Sequence, residues 1–292
     1  MSRRLLAALL GLLTLLMLPS AALAAEEEDF DPAEEFELIP YVDLDFGVID
    51  MSINKAVIYM WVSVAIITGL GLFVVRTGVA LKPRGAQNFL EMAYEFTETQ
   101  IGRATLPEKI FAKYFPFIAT LFLFIAVNNL ISFIPLPFAP HTDTFPGSIP
   151  DVGLYAATAN ISVTLALTIV VFLLTHYEGV KAHGPLGYVK TLIPEAPAAI
   201  KPVIFVLEVL SQLLRLVSLS VRLFANLLAG HLLIIMAAGF PILLGSVVVG
   251  FIALPVGVAF WLFEWVLVAG LQAYIFAMLS GIYIGYAVEP PH

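Results

Sequence analysis

Long apolar stretches alternate with short polar ones along this chain. The stretches run over residues 56–75, 115–134, 152–175, 203–238 and 242–288. Each is long enough for a helix to cross a hydrocarbon core of ~30 Å. The pattern predicts an all-α integral membrane protein with about five membrane helices. At about 1.5 Å per residue the last two exceed a perpendicular crossing, so they must tilt strongly, kink or run partly along the membrane. Pro255 and several glycines in the last stretch permit a bend. Residues 87–103 follow a different rhythm. Phe89, Met92, Ala93 and Phe96 recur at helical spacing, with Glu91, Glu95 and Glu98 interleaved. This predicts an interfacial helix on the cytoplasmic surface, or equally a soluble amphipathic helix packed on another subunit.

Composition sharpens the picture. The chain is 60% hydrophobic and only 12% charged, whereas soluble domains run near 25% charged. It has no cysteine, which excludes a disulfide framework and a thiolate metal site; no metal and no cofactor are expected. The net charge of -8 is concentrated, because half of the acidic residues fall within 26–50. Nothing basic enough for nucleic acid remains. Arg3 and Arg4 precede the apolar residues 5–18, and Ala22-Leu23-Ala24 follows. That order predicts a secretory signal peptide over 1–25, cleaved after Ala24 or Ala25, with a retained short anchor as the alternative. Residues 26–52 then form an acidic exported segment, and 53–292 a polytopic membrane domain.

Loop charges predict the orientation. Arg76, Lys82, Arg84, Arg103, Lys109 and Lys113 lie between the first two spans, and Lys181, Lys190 and Lys201 between the third and fourth. The segment 135–151 and the turn 239–245 carry no Lys or Arg. By the positive-inside rule the N-terminus is outside and the C-terminus cytoplasmic. The side of the C-terminus rests on counting spans.

Within 203–288 the ionisable Asp, Glu, Lys, Arg and His residues are Glu208, Arg215, Arg222, His231 and Glu264. A charge at the centre of a membrane helix costs about 3 kcal/mol even on lenient scales, so each is a functional candidate. At about 100° per residue, Glu208, Arg215, Arg222 and Asn226 form one polar stripe, and His231 falls about 180° from Arg222. One helix therefore presents a fixed cation on one face and a titratable imidazole on the other. Arginine does not give up its proton and suits an immovable positive charge. Histidine and glutamate suit a proton relay. Structural roles compete: Arg215 could pair with Glu208, and His231, Glu264, Asn226 and Gln272 could be polar contacts between helices. Arg222 has no anionic residue within one turn on its own helix, which leaves it needing a partner or a water-filled cavity.

Residues 218–231 read Ser-Leu-Ser-Val-Arg-Leu-Phe-Ala-Asn-Leu-Leu-Ala-Gly-His. This resembles the signature of subunit a of the F-type ATP synthases, and residues 271–279, Leu-Gln-Ala-Tyr-Ile-Phe-Ala-Met-Leu, resemble that family's last helix. The resemblance extends from about Ile53 onward. It implies a long tilted hairpin of the last two helices around a ring of c proteolipid subunits. It further implies partners in the b-subunit peripheral stalk, the rest of the synthase and membrane lipid. Arg222 matches the essential arginine between two half-channels, Asn226 and Gln272 polar residues near it, His231 the titratable position of the outer half-channel, and Glu208 an acidic residue of the inner exit. Two features depart from the family pattern. Glu264 lies eight residues before Gln272 rather than seven, which in a regular helix rotates it by about 100°. Asn160 stands where an aspartate is common, so it could line the channel without being an anionic relay.

The function this implies is a stationary, non-catalytic proton-translocating subunit in an energy-transducing membrane, a bacterial inner membrane being expected. The chain has no G-x-x-x-x-G-K-[ST] loop, so nucleotide chemistry belongs to other subunits. The alternatives are a stand-alone ion-coupled secondary transporter, which would build a central site from broken helices, and a scaffold that tolerates neutral residue 222.

Overall fold

The computed structural model describes residues 38, 40–44, 52–78, 80, 82–134, 155–192, 197, 200–243 and 247–289. The signal-peptide reading, most of the acidic segment and the loop 135–151 lie outside the described residues. Among those described there is no β-strand, only an isolated bridge between Val42 and Ile53, and five helical stretches are long and apolar enough to cross a membrane. The all-α membrane architecture expected from the pattern is therefore the architecture found.

The first membrane helix, α1, spans Lys55–Thr77, with the Asn54 side chain capping its start by accepting from Val57 N. Helix α2, Ala86–Phe96, runs on through a π-helical turn, Thr97–Gly102, into a short turn, Arg103–Thr105. Phe89 and Met92 of this surface helix are exposed, while the Phe96 ring packs on Phe122 and Tyr274. Helix α3 covers Glu108–Ile131, and α4 covers Ile161–His183, followed by the short α5, Pro185–Thr191. Helix α6, Lys201–Leu243, is unbroken. The last stretch comprises α7, Val247–Phe263, a second π-helical turn, Glu264–Val268, and α8, Ala269–Val288. Pro255 lies inside α7 without ending it.

The helix bounds differ from the apolar windows where polar residues take part in helix formation. Helix α3 begins at Glu108, just after Pro107, because proline favours the start of a helix, where no donor is needed. The third span starts at Ile161 rather than near 152. Residues Ala157–Ala159 form a 3-10 turn instead, buried against Ala56, Tyr59 and Ile131. Asn160 then caps α4 by accepting from Ser162 N at 2.8 Å.

Helices α3 and α8 sit at the centre, and the inward face of α6 packs on them. Leu219 and Leu223 join Leu121, Ile125, Ala273 and Phe276 in one buried cluster. Leu227 and Ile234 join Phe133 and Ala269 in the next. The ends of the bundle are chemically distinct. At one end Lys109 bonds Glu289 at 2.9 Å, Lys113 bonds Glu178 at 2.8 Å, and His183 contacts the Val288 carbonyl at 3.0 Å. The C-terminal end of α8 thus lies beside the basic segments. The other end holds Ser132, Phe133, Tyr155, Asn160 and His231.

Candidate functional site

Helix α6 divides its polar residues between two faces. Arg215, Ser218, Arg222, Ala225, Asn226, Ala229 and Leu233 are all exposed, and at about 100° per residue they form a single stripe. From Ser218 to Ala229 these positions stay open on their outward side. Arg222 forms no hydrogen bond or ion pair among the described residues. On the opposite face His231 is 2% exposed, as the half-turn separation predicts. The polar stripe and its opposing imidazole are thus arranged as the residue spacing requires.

The surroundings of His231 are specific. Its Nδ1 contacts the Leu227 carbonyl at 3.0 Å and its Nε2 the Ser132 carbonyl at 3.3 Å. The Phe133 ring packs on it with centroids 4.5 Å apart. A buried amide network flanks this position: Asn129 accepts from the Thr158 hydroxyl at 2.8 Å and donates to the Ala269 carbonyl at 3.1 Å. Asn128 and Asn129 were a readable signal, two adjacent amides inside an apolar span, which the charge-based reading passed over.

Glu264 reaches the same region through an irregularity. It opens the π-helical turn Glu264–Val268. A π turn takes in one extra residue relative to an α-helix, which absorbs the eight-residue spacing to Gln272 that would otherwise rotate Glu264 away. Its carboxyl group rests on Gly230, next in sequence to His231. A methyl group built at Gly230 would run into the Glu264 carboxyl group, so the glycine lets that carboxyl group sit where it does. The Glu264 Oε2 is buried and has no hydrogen-bond partner among the described residues. A lone buried carboxyl oxygen is costly to leave unsatisfied.

The remaining candidates occupy distinct places. Glu208 is half-buried and accepts from Gln212 Nε2 at 3.0 Å. The expected Glu208–Arg215 pair does not form, because Gln212, one turn on, takes the carboxylate, and the Arg215 guanidinium lies over the Tyr283 ring, 5.8 Å from its centroid. Gln272 is buried on α8 while Asn226 is exposed on α6. No hydrogen bond joins Gln272 to Arg222. Asn160 is committed locally to capping α4. A row of hydroxyls missed in the sequence, Thr164, Thr168 and Thr175, follows the buried face of α4, and Thr164 meets Ser220 of α6 at 3.2 Å.

Comparison with known proteins places this arrangement in context. The profile of the family described as "ATP synthase A chain" matches residues 57–285. The chain is 35% identical over 268 residues to "ATP synthase subunit a" of Brucella ovis, covering 90% of this chain and 99% of that protein. The proteins of the same name from Brucella canis and Brucella suis match at the same identity and coverage.

Proposed function

The chain belongs to the ATP synthase A chain family, and from that premise we propose that it is the stationary proton-translocating subunit of a rotary F-type ATP synthase. The observation that carries this reading is the position of Arg222. It stands far from both ends of a 43-residue helix, on an uncovered stripe of small and polar residues, with no partner of its own. Small residues let a neighbouring helix approach closely in a membrane. A carboxylate on that neighbour would supply the counter-charge that Arg222 needs. A ring of proteolipid subunits, each carrying one carboxyl group, fits both requirements.

In this mechanism a proton enters at the end of the bundle that holds His231, Glu264 and Asn160. Gln272 and the buried amides of α3 lie on the same side of Arg222. His231 and Glu264 pass the proton to a ring carboxylate, whose neutral form can rotate into lipid. When the site returns to Arg222, the fixed cation favours the ionised form, and the proton leaves past Glu208 at the basic, cytoplasmic end. Asn226, about one turn from Arg222 on the same stripe, holds polar surface next to the guanidinium. Arg222 also keeps the two half-paths from joining. The subunit itself is non-catalytic. It resides in a bacterial inner membrane with its N-terminus outside, and the b-subunit stalk holds it fixed. The unbroken course of α6 favours this reading over a stand-alone transporter, which would need broken helices around a central site.

The test uses the whole complex in sealed vesicles, with wild type beside Arg222→Ala. ATP-driven proton uptake is expected to vanish while the complex stays assembled. Normal coupled uptake in the variant would refute the mechanism.

A further inference from the structure

The inner half of the bundle holds an imidazole that the mechanism above does not use. Between α4, α6 and α8 lies a small cavity of about 20 Å³ lined by Thr168, Thr175, His176, Gln212, Arg215 and Tyr283, with apolar side chains between them. A cavity of about 15 Å³ holds a water molecule when polar groups line it. Arg215 lies seven residues from Arg222, about 10 Å along the helix axis, toward the end of the bundle that carries Lys113, Lys181 and Glu289. The cavity is therefore placed between the fixed cation and the basic end.

His176 enters this space in a defined state. Its Nδ1 lies 2.9 Å from the Phe172 carbonyl oxygen. A carbonyl only accepts, so Nδ1 carries the hydrogen, and in the neutral ring Nε2 keeps its lone pair. Nε2 makes no hydrogen bond to the described protein. The ring is held by Phe172 on one side, with centroids 4.0 Å apart, and by Tyr188 edge-on at 5.9 Å. Burial raises the Tyr188 phenol above its usual range, with the Glu208 carboxylate adding to the effect, so Glu208 lies within electrostatic reach of the ring that abuts His176. Gln212 lines the cavity and donates to Glu208 at 3.0 Å.

We propose that His176 is a proton-accepting residue of the inner half-path, connected to Glu208 through the cavity that it shares with Gln212 and Arg215. The inference rests on the proton-translocating function proposed above. The step is a reversible transfer. Nε2 takes a proton from water in the cavity and becomes imidazolium, still donating through Nδ1. It returns that proton to the next water, so no other bond forms or breaks. The titratable and charged groups around it are Arg215 of α6, held over Tyr283 of α8, Glu208 of α6, Tyr188 of α5, and Lys113 of α3, which bonds Glu178 of α4.

Two measurements test this on the assembled complex in inside-out vesicles, where the inner face meets the bulk solution. In the first, His176→Phe and His176→Gln are compared with wild type across the bulk pH range during ATP-driven uptake. Both variants are expected to assemble and to lose rate several-fold more steeply as pH rises, because protons are then scarce and a collecting base matters most. Profiles that superpose on wild type after scaling would overturn the proposal. In the second, the absence of cysteine from the chain allows Thr175→Cys and Gln212→Cys to be probed alone with a small cationic thiol reagent. Reaction from the inner face is expected, and protection of both positions would overturn the aqueous connection. Arg222→Ala is run in parallel. If it pumps normally, the broader function fails; if it is inactive while His176 variants match wild type, only the present inference fails.

Discussion

The two faces of α6 hold charge in opposite ways. On the outward face, Arg222 and Asn226 stand among Ser218, Ala225 and Ala229 with nothing of the described chain over them. On the inward face, His231 is enclosed by Phe133, two backbone carbonyls and the Glu264–Gly230 contact. The cation on the outward face has no counter-charge among the described residues. A group that does titrate has been given fixed neighbours within the chain. The difference teaches where, in the mechanism proposed above, each part of the chemistry is completed: the outward face by a second protein, the inward face by contacts within the chain.

The largest effect is expected from breaking the inward face with charge. Leu223→Asp puts a carboxylate against Leu121, Ile125 and Phe276, at a cost of several kcal/mol, and the chain should be lost from purified complexes on immunoblots. Arg222→Ala should do the reverse, abolishing proton uptake with normal subunit content, because no packing within the chain depends on that side chain. If Arg222→Ala also removes the chain from the complex, the two faces are not separable and the comparison fails.

Gly230→Ala sharpens the inward half. The added methyl group displaces the Glu264 carboxyl group, and uptake should fall several-fold. The double variant Gly230→Ala with Glu264→Asp should recover part of that loss, since the shorter acid leaves space. Equal rates in the single and double variants would mean that Gly230 serves helix packing alone. Asn226→Ala should have the smallest effect, a reduced rate without loss of coupling, measured as protons moved per ATP hydrolysed. Uncoupling in that variant would move the barrier role from Arg222 to the pair.

How much of this was legible in the sequence follows from the range of the interactions. Helical periodicity alone separates Arg222 from His231 by half a turn, and the structure places them so. Apolar length alone marks five crossings. The start of the third helix was not legible from hydropathy, because Ala157 and Ala159 are as apolar as a helix interior yet form a 3-10 turn against α1. The Glu208–Arg215 pairing failed for a similar reason: Gln212 and Tyr283 offered each partner a nearer contact, and Tyr283 is 68 residues from Arg215 in the chain.

By itself, then, the sequence determined membrane residence, the faces of α6 and the family, since these depend on local spacing and residue type. Tertiary structure decided the rest. The π-helical turn that brings Glu264 back into register follows from packing α7 and α8 as one continuous element. The seat on Gly230 requires two helices to meet at one residue. The cavity beside His176 exists only where α4, α6 and α8 leave a gap. Each involves groups distant in sequence, and their meeting is fixed by close packing of whole helices.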